Sequence, residues 1–198
     1  MYATLLADAR FHELLLAFDG DLAEAARTGR CRHCTGALHS AKFKRQPRGR
    51  GCKLGPEHDQ RFSFCCAVDG CRGRETPASL RFLGRRVYVA GIVVLIAILK
   101  NGATDARLAR LSGVVTVDRR TIARWRRWWR DAFTATPFWQ IARARFMPPV
   151  DHDHLPAALI ARFTVMPEAC FQHDGAEPLI ALLRFLGPVT GGAAMQAR

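Results

Sequence analysis

Paired cysteines constrain this chain more than any other feature. Cys31-Arg-His-Cys34 is a C-x2-C, and further on FCCAVDGC offers Cys65 or Cys66 together with Cys71. Two thiol pairs on tight turns are what a tetrahedral zinc ion requires, and one ion taking all four sulfurs forces the two turns to lie side by side. Backbone N–H groups around such turns stabilise the thiolates. Gly70, just ahead of Cys71, permits a chain reversal that a Cβ would obstruct. The expected ligands are Cys31, Cys34, Cys66 and Cys71, with Cys65 as the alternative to Cys66. The second pair is C-x4-C from Cys66 and C-x5-C from Cys65. Phe64-x-Cys66 favours Cys66, because strand alternation places the ring and that sulfur on one side. His33, His39 and Cys52 are lesser candidates, and the isolated Cys170 reads as an ordinary buried thiol. Four protein ligands leave no open coordination position, so the expected zinc is structural. The competing reading treats these cysteines as small buried hydrophobes.

The rest of the composition narrows the class. The 198 residues carry a formal charge of +13 and seven cysteines. Residues 31–86 are net +9 and residues 87–150 net +8, whereas residues 1–30 and 151–198 are each −2. A continuous basic middle with near-neutral flanks suits a surface that attracts polyanions, nucleic acid first among them. The N-terminus, MYATLLADARFHELLLAFDGDLAEAA, has acids on both sides of its apolar run and no basic leader. The expectation is a reducing, cytoplasmic and nucleoid-associated setting, where paired cysteines point to metal rather than to disulfides. The apolar run Val87–Leu99 is too short to cross a bilayer and reads as a buried core helix, so no membrane partner is expected.

The predicted fold class is mainly α with a small β zinc ribbon and a helix-turn-helix core. Four segments follow: an N-terminal helical segment (1–30), the zinc ribbon (31–86), a helix-turn-helix domain (87–150) and a C-terminal helical tail (151–198). Leu5, Leu6, Phe11, Leu14, Leu15, Phe18, Leu22 and Ala26 recur at helical spacing, with room for a break near Asp19-Gly20. Asn101-Gly102 ends the buried helix, and a short helix, DARLARL, follows from Asp105. Asp118 N-caps the next helix, Thr136-Pro137 opens another, and two more are expected around 157–163 and 178–185.

The helix after Asp118 reads RRTIARWRRWWRDAF. On helical pitch Ile122, Trp125, Trp129 and Ala132 or Phe133 share one face, with Arg120, Arg124, Arg127 and Asp131 opposite. Trp128 falls on the border. Two helices joined by a Gly-containing turn, the second N-capped and arginine-rich, match a helix-turn-helix whose second helix enters the major groove of double-stranded DNA. Arg119, Arg120, Thr121 and Arg124 are the candidate base contacts, since arginine pairs bidentately with guanine. Arg126, Arg127 and Arg130 are the candidate phosphate contacts. The turn 113–118 is longer than usual for this motif.

Taken together, CRHC-TG, FCCAVDGCR and LARLSG…RRTIARWRRWW resemble the zinc-ribbon and helix-turn-helix architecture of bacterial insertion-sequence transposases and their short accessory proteins, over about residues 31–133. The resemblance implies zinc on the four cysteines and recognition of mobile-element DNA, with a separate transposase or self-association as further partners. It supplies no nuclease: 65 residues after the helix are too few for a ribonuclease-H-like domain. No catalytic residue, phosphate-binding glycine loop or small-molecule substrate is evident. Two other classes compete: a catalytic transposase or nuclease using Asp151, Asp153 and Asp174, and a transcription-associated module docking an acidic partner. The cluster Asp151-His152-Asp153-His154 reads chiefly as a polar loop.

Overall fold

Asp8 divides the apolar N-terminal stretch into two helices, α1 (Tyr2–Ala7) and α2 (Ala9–Thr28). Its extended backbone and its carboxylate, which accepts from the Arg10 N–H, make it the N-cap of α2. The helix runs unbroken through Asp19-Gly20, where the sequence leaves room for a break. Asp19 is not punctuation but a buried acceptor. Its carboxylate takes the Ser79 hydroxyl (2.5 Å), the Leu80 N–H (2.7 Å) and the Arg81 Nε–H (2.8 Å). Arg81 in turn donates to the carbonyls of His58 and Gln60. The computed structural model describes residues 2–46, 48, 52–83, 119–165 and 177–190.

Five short strands follow α2: β1 (Leu38–Ser40), β2 (Phe43–Lys44), β3 (Gln60–Arg61), β4 (Phe64–Cys66) and β5 (Arg74–Glu75). They form a three-stranded antiparallel sheet in the order β1-β4-β5 and a two-stranded ladder of β2 with β3. The register sets Leu38 opposite Cys66 and Ser40 opposite Phe64. A 3-10 turn at Pro56–Asp59 leads into β3.

The remaining described elements are helical. α3 (Arg119–Arg127) continues directly into a π-helical turn at Trp128–Phe133. Thr136 then caps α4 (Pro137–Ala142), its hydroxyl accepting from the Trp139 N–H at 3.1 Å with proline in the first turn. α5 (Ala157–Val165) and α6 (Glu177–Phe185) pack against one another. The chain is thus mainly α with small antiparallel sheets. The helices expected at 85–100 and 105–111, and the turn at 113–118, lie outside the described residues, as do Cys170 and Asp174.

Two apolar clusters hold these elements together. The larger gathers Leu6, Phe11 and Leu15 from the N-terminal helices, Leu80 and Leu83, and the rings of Trp125, Trp129, Phe133 and Trp139. It closes on Leu159 of α5 and on Leu179, Leu182 and Leu183 of α6. The smaller joins Ala23 to Cys31, Leu38 and Phe64, with Cys66 and Cys71 packed against it. The first half of α2 therefore belongs to the helical core and its last turns to the cysteine-bearing sheet, and the Asp19 network sits between the two.

Candidate metal centre and arginine helix

α2 ends at Gly29, and Arg30 (φ 60°) turns the chain into the first cysteine pair. The Cys31 N–H bonds the Gly36 carbonyl (3.0 Å) and the Thr35 N–H bonds the Cys31 carbonyl (2.8 Å). Thr35 occupies the left-handed region, φ 56°. The second pair sits on the turn from β4 to β5, with Cys71 N–H bonded to Val68 O (3.1 Å) and Gly70 at φ 80°. The β1–β4 pairing sets the two turns side by side, and the sulfurs of Cys31, Cys34, Cys66 and Cys71 all lie within 4.8 Å of one another.

These distances fit a shared ion and not disulfides. Cys34–Cys66 is 3.3 Å and Cys31–Cys71 is 3.8 Å, against a bond of about 2.05 Å for a disulfide. A tetrahedron of sulfurs about 2.3 Å from zinc has edges of roughly 3.8 Å. The N–H groups repeat the same pattern at each sulfur. Those of His33 and Cys34 point at Cys31, Gly36 at Cys34, Val68 at Cys66 and Gly73 at Cys71. Bonds from the His33 and Cys34 N–H groups pull the Cys31 thiol down to about 6. At Cys34 and Cys71 the adjacent N–H of Gly36 or Gly73 pulls downward, while a neighbouring sulfur pushes upward; both thiols lie above their ordinary value. Cys66 is also raised: the Val68 N–H lowers it and desolvation raises it. Four sulfurs this close do not all ionise beside one another; a divalent cation supplies the charge that lets them do so. Among the described residues this is the one group suited to a metal ion.

Cys66, and not Cys65, enters the group. Cys65 stands opposite His39 and Arg74 in the sheet, and its sulfur accepts from the Arg74 guanidinium at 3.7 Å. His39, His33 and Cys52 are not members either. The sequence reading missed the two glycines that close the site. A Cβ on Gly73 would stand 2.8 Å from the Cys31 sulfur, and one on Gly36 would stand 3.3 Å from Cys34 and 3.2 Å from Cys66. The signal was present as a repeated Cys-x-Gly, at Cys34-Thr-Gly36 and Cys71-Arg-Gly73.

In α3 the tryptophans and arginines separate. Trp125 and Trp129 are buried and Arg120, Arg124 and Arg127 are exposed; the side chains of Arg119 and Ile122 lie outside the described residues. Thr121 is a correction to the sequence reading: it is buried, 8% exposed, and its hydroxyl accepts from the Arg124 guanidinium at 3.1 Å. Helical pitch places Thr121 and Trp125 on one side, so this hydroxyl positions Arg124 and does not face outward. Arg126 is half-buried, and burial lowers its pKa. Arg130 is exposed but bonded to its neighbour Asp131 (2.8 Å). The π turn decides between Ala132 and Phe133. Its wider winding buries Phe133 and exposes Ala132, stacking Phe133 edge-on against Trp129 at 4.9 Å. Trp128 is half-buried, its ring edge-to-face with Trp129 and tilted against Phe133.

The 151–154 cluster is tied to the core. His152 accepts from the Trp139 indole N–H (3.3 Å), and Asp151 bonds the His154 ring and the Asp153 N–H. The bond from His154, then that from the Asp153 N–H, holds the Asp151 carboxyl below its ordinary value. A cleft of about 430 Å³ opens beside it, lined in part by Arg145, Val150 and Arg162.

Fold and site together define a mainly helical chain carrying a four-cysteine centre suited to a metal ion. No protein-family model matches it, and neither the curated proteins nor the solved structures return a match. No helix among the described residues is long and apolar enough to cross a membrane.

Proposed function

We propose that this is a zinc-containing, double-stranded DNA-binding protein of a mobile genetic element. Zinc bridges the two cysteine turns as a structural ion, because four thiolates complete its coordination and leave no position for a substrate. The exposed arginines of α3 grip the duplex: Arg120 and Arg124 reach the bases, and Arg127 the phosphates. The observation that carries this reading is the separation of Trp125 and Trp129, held in the core, from Arg120, Arg124 and Arg127, all exposed on the same helix. The +13 charge supports a polyanionic partner, and the likeness to insertion-sequence proteins supports the choice of DNA. A helix-turn-helix, with the 105–111 helix as the partner of α3, is part of the proposal.

Two measurements test it on the purified full chain. Metal analysis is expected to give one zinc per chain, and Cys34→Ser is expected to abolish it; folded protein without zinc refutes the metal assignment. Arg120→Ala combined with Arg124→Ala should weaken duplex binding about tenfold or more, at unchanged thermal stability, and relax the discrimination between duplex sequences. An unchanged affinity in a gel-shift titration refutes the groove assignment.

A further inference from the structure

α5 buries Leu159 and Ile160 in the larger core, whereas Ala158, Ala161 and Arg162 lie together on its flank at i, i+3 and i+4. Alanines on that flank leave room that larger side chains would fill, and the cleft of about 430 Å³ opens there, between α5 and residues 145–151. Phe146, Pro149 and Val150 make the facing wall apolar. Phe146 is held from behind by Phe185 at 5.5 Å and Trp139 at 6.2 Å, so this wall is preformed. Met147 also lines the cleft and is 83% exposed, more than any other large apolar side chain among the described residues. Two guanidiniums complete the lining. Arg162 Nη2 donates to the carbonyls of Pro148 (2.7 Å) and Pro149 (3.3 Å), which fixes the side chain, while its Nε and Nη1 N–H groups have no acceptor among the described residues. The Arg145 guanidinium makes no hydrogen bond or ion pair among them either. Asp151, the acid in the lining, is engaged on its own loop by the Asp153 N–H and the His154 ring.

We propose that this cleft binds a small apolar carboxylate, its aliphatic or aromatic body against Phe146, Val150 and the two alanines and its carboxylate between Arg145 and Arg162. The volume falls within the roughly 300–1,000 Å³ usual for small-molecule sites, which combine a mainly apolar lining with a few fixed polar groups. Guanidinium N–H groups without acceptors select an anion, and their planar fork matches a carboxylate. The apolar walls select an anion with a hydrocarbon body, because inorganic phosphate or a nucleic-acid backbone would leave that surface unmatched. Arg162, already held by two carbonyls, loses little further freedom on binding. The site is built from elements other than α3 and needs no nucleic acid.

The test is isothermal titration calorimetry of the full, zinc-loaded chain with octanoate and with 3-phenylpropionate, with octylammonium and inorganic phosphate as controls. At least one of the carboxylates should bind with a Kd of about 1 mM or tighter, while octylammonium should not bind and phosphate should not displace the carboxylate. Arg145→Gln should weaken carboxylate binding about tenfold, as the loss of one charge-assisted hydrogen bond requires. Ala161→Phe, at an exposed position, should fill the cleft and abolish binding at unchanged melting temperature and zinc content. The proposal is overturned if wild type binds neither carboxylate, if octylammonium binds as well as octanoate, or if phosphate displaces the carboxylate. Wild-type affinity in Arg145→Gln, or in a folded Ala161→Phe, overturns it as well. Should Ala161→Phe fail to fold, Arg145→Gln decides, because the Arg145 guanidinium holds no other group among the described residues.

Discussion

Asp19 is the position where a small change should do most damage. It is fully buried and accepts three hydrogen bonds, one of them from Arg81, which is 4% exposed. Asp19→Ala removes the carboxylate and leaves the guanidinium with two backbone carbonyls but no counter-charge. Breaking a buried ion pair from one side costs about 3–5 kcal/mol. The Leu80 N–H also loses its acceptor, at about 1–3 kcal/mol. These costs overlap within one network, so a loss of about 5 kcal/mol is expected. A domain is stable by about 5–15 kcal/mol, so the variant should sit near the edge of unfolding. Asp19→Asn keeps the shape and one acceptor oxygen and should lose about half as much. Urea denaturation followed by tryptophan fluorescence is the assay, since Trp125, Trp129 and Trp139 lie in the core that Leu80 and Leu83 enter. Adding Arg81→Met to Asp19→Ala should cost less than the two single effects summed. A measured loss below about 1.5 kcal/mol for Asp19→Ala would refute the claim that this network joins the two clusters.

Gly73→Ala should speed zinc loss to a competing chelator, because its Cβ would stand 2.8 Å from the Cys31 sulfur. Gly20→Ala is the contrasting case: nothing lies within 4 Å of that Cβ, and the helix should gain about 0.5–1 kcal/mol in a melt. Trp129→Ala should cost about 3–5 kcal/mol in the same denaturation assay, as the ring is fully buried against Trp128 and Phe133.

Much of this was legible because it is local. The C-x2-C turn, the Thr136-Pro137 start of α4, the tail helices and the alternation of Phe64 with Cys66 all follow from spacing and capping within a few residues. Periodicity likewise sorted Trp125 and Trp129 from Arg120, Arg124 and Arg127. The outward reading of Thr121 came from the match to a helix-turn-helix and not from periodicity, which sets it four residues before the buried Trp125. Periodicity could not choose between Ala132 and Phe133, because that choice depends on a π turn that a fixed 3.6-residue pitch does not foresee.

What the sequence by itself determined is the donor set and the charge: paired thiols suited to one soft divalent ion, and a basic middle flanked by near-neutral ends. Only the tertiary structure decided which sulfurs meet, because Cys34 and Cys66 are brought together by a strand pairing across 32 positions. Only it gave Asp19 its role. An aspartate beside a glycine reads locally as a helix end, yet burial against Arg81, 62 positions away, turns the same carboxylate into the bond between two cores. Spacing records which groups are available; long-range packing settles which of them lose water and must find each other.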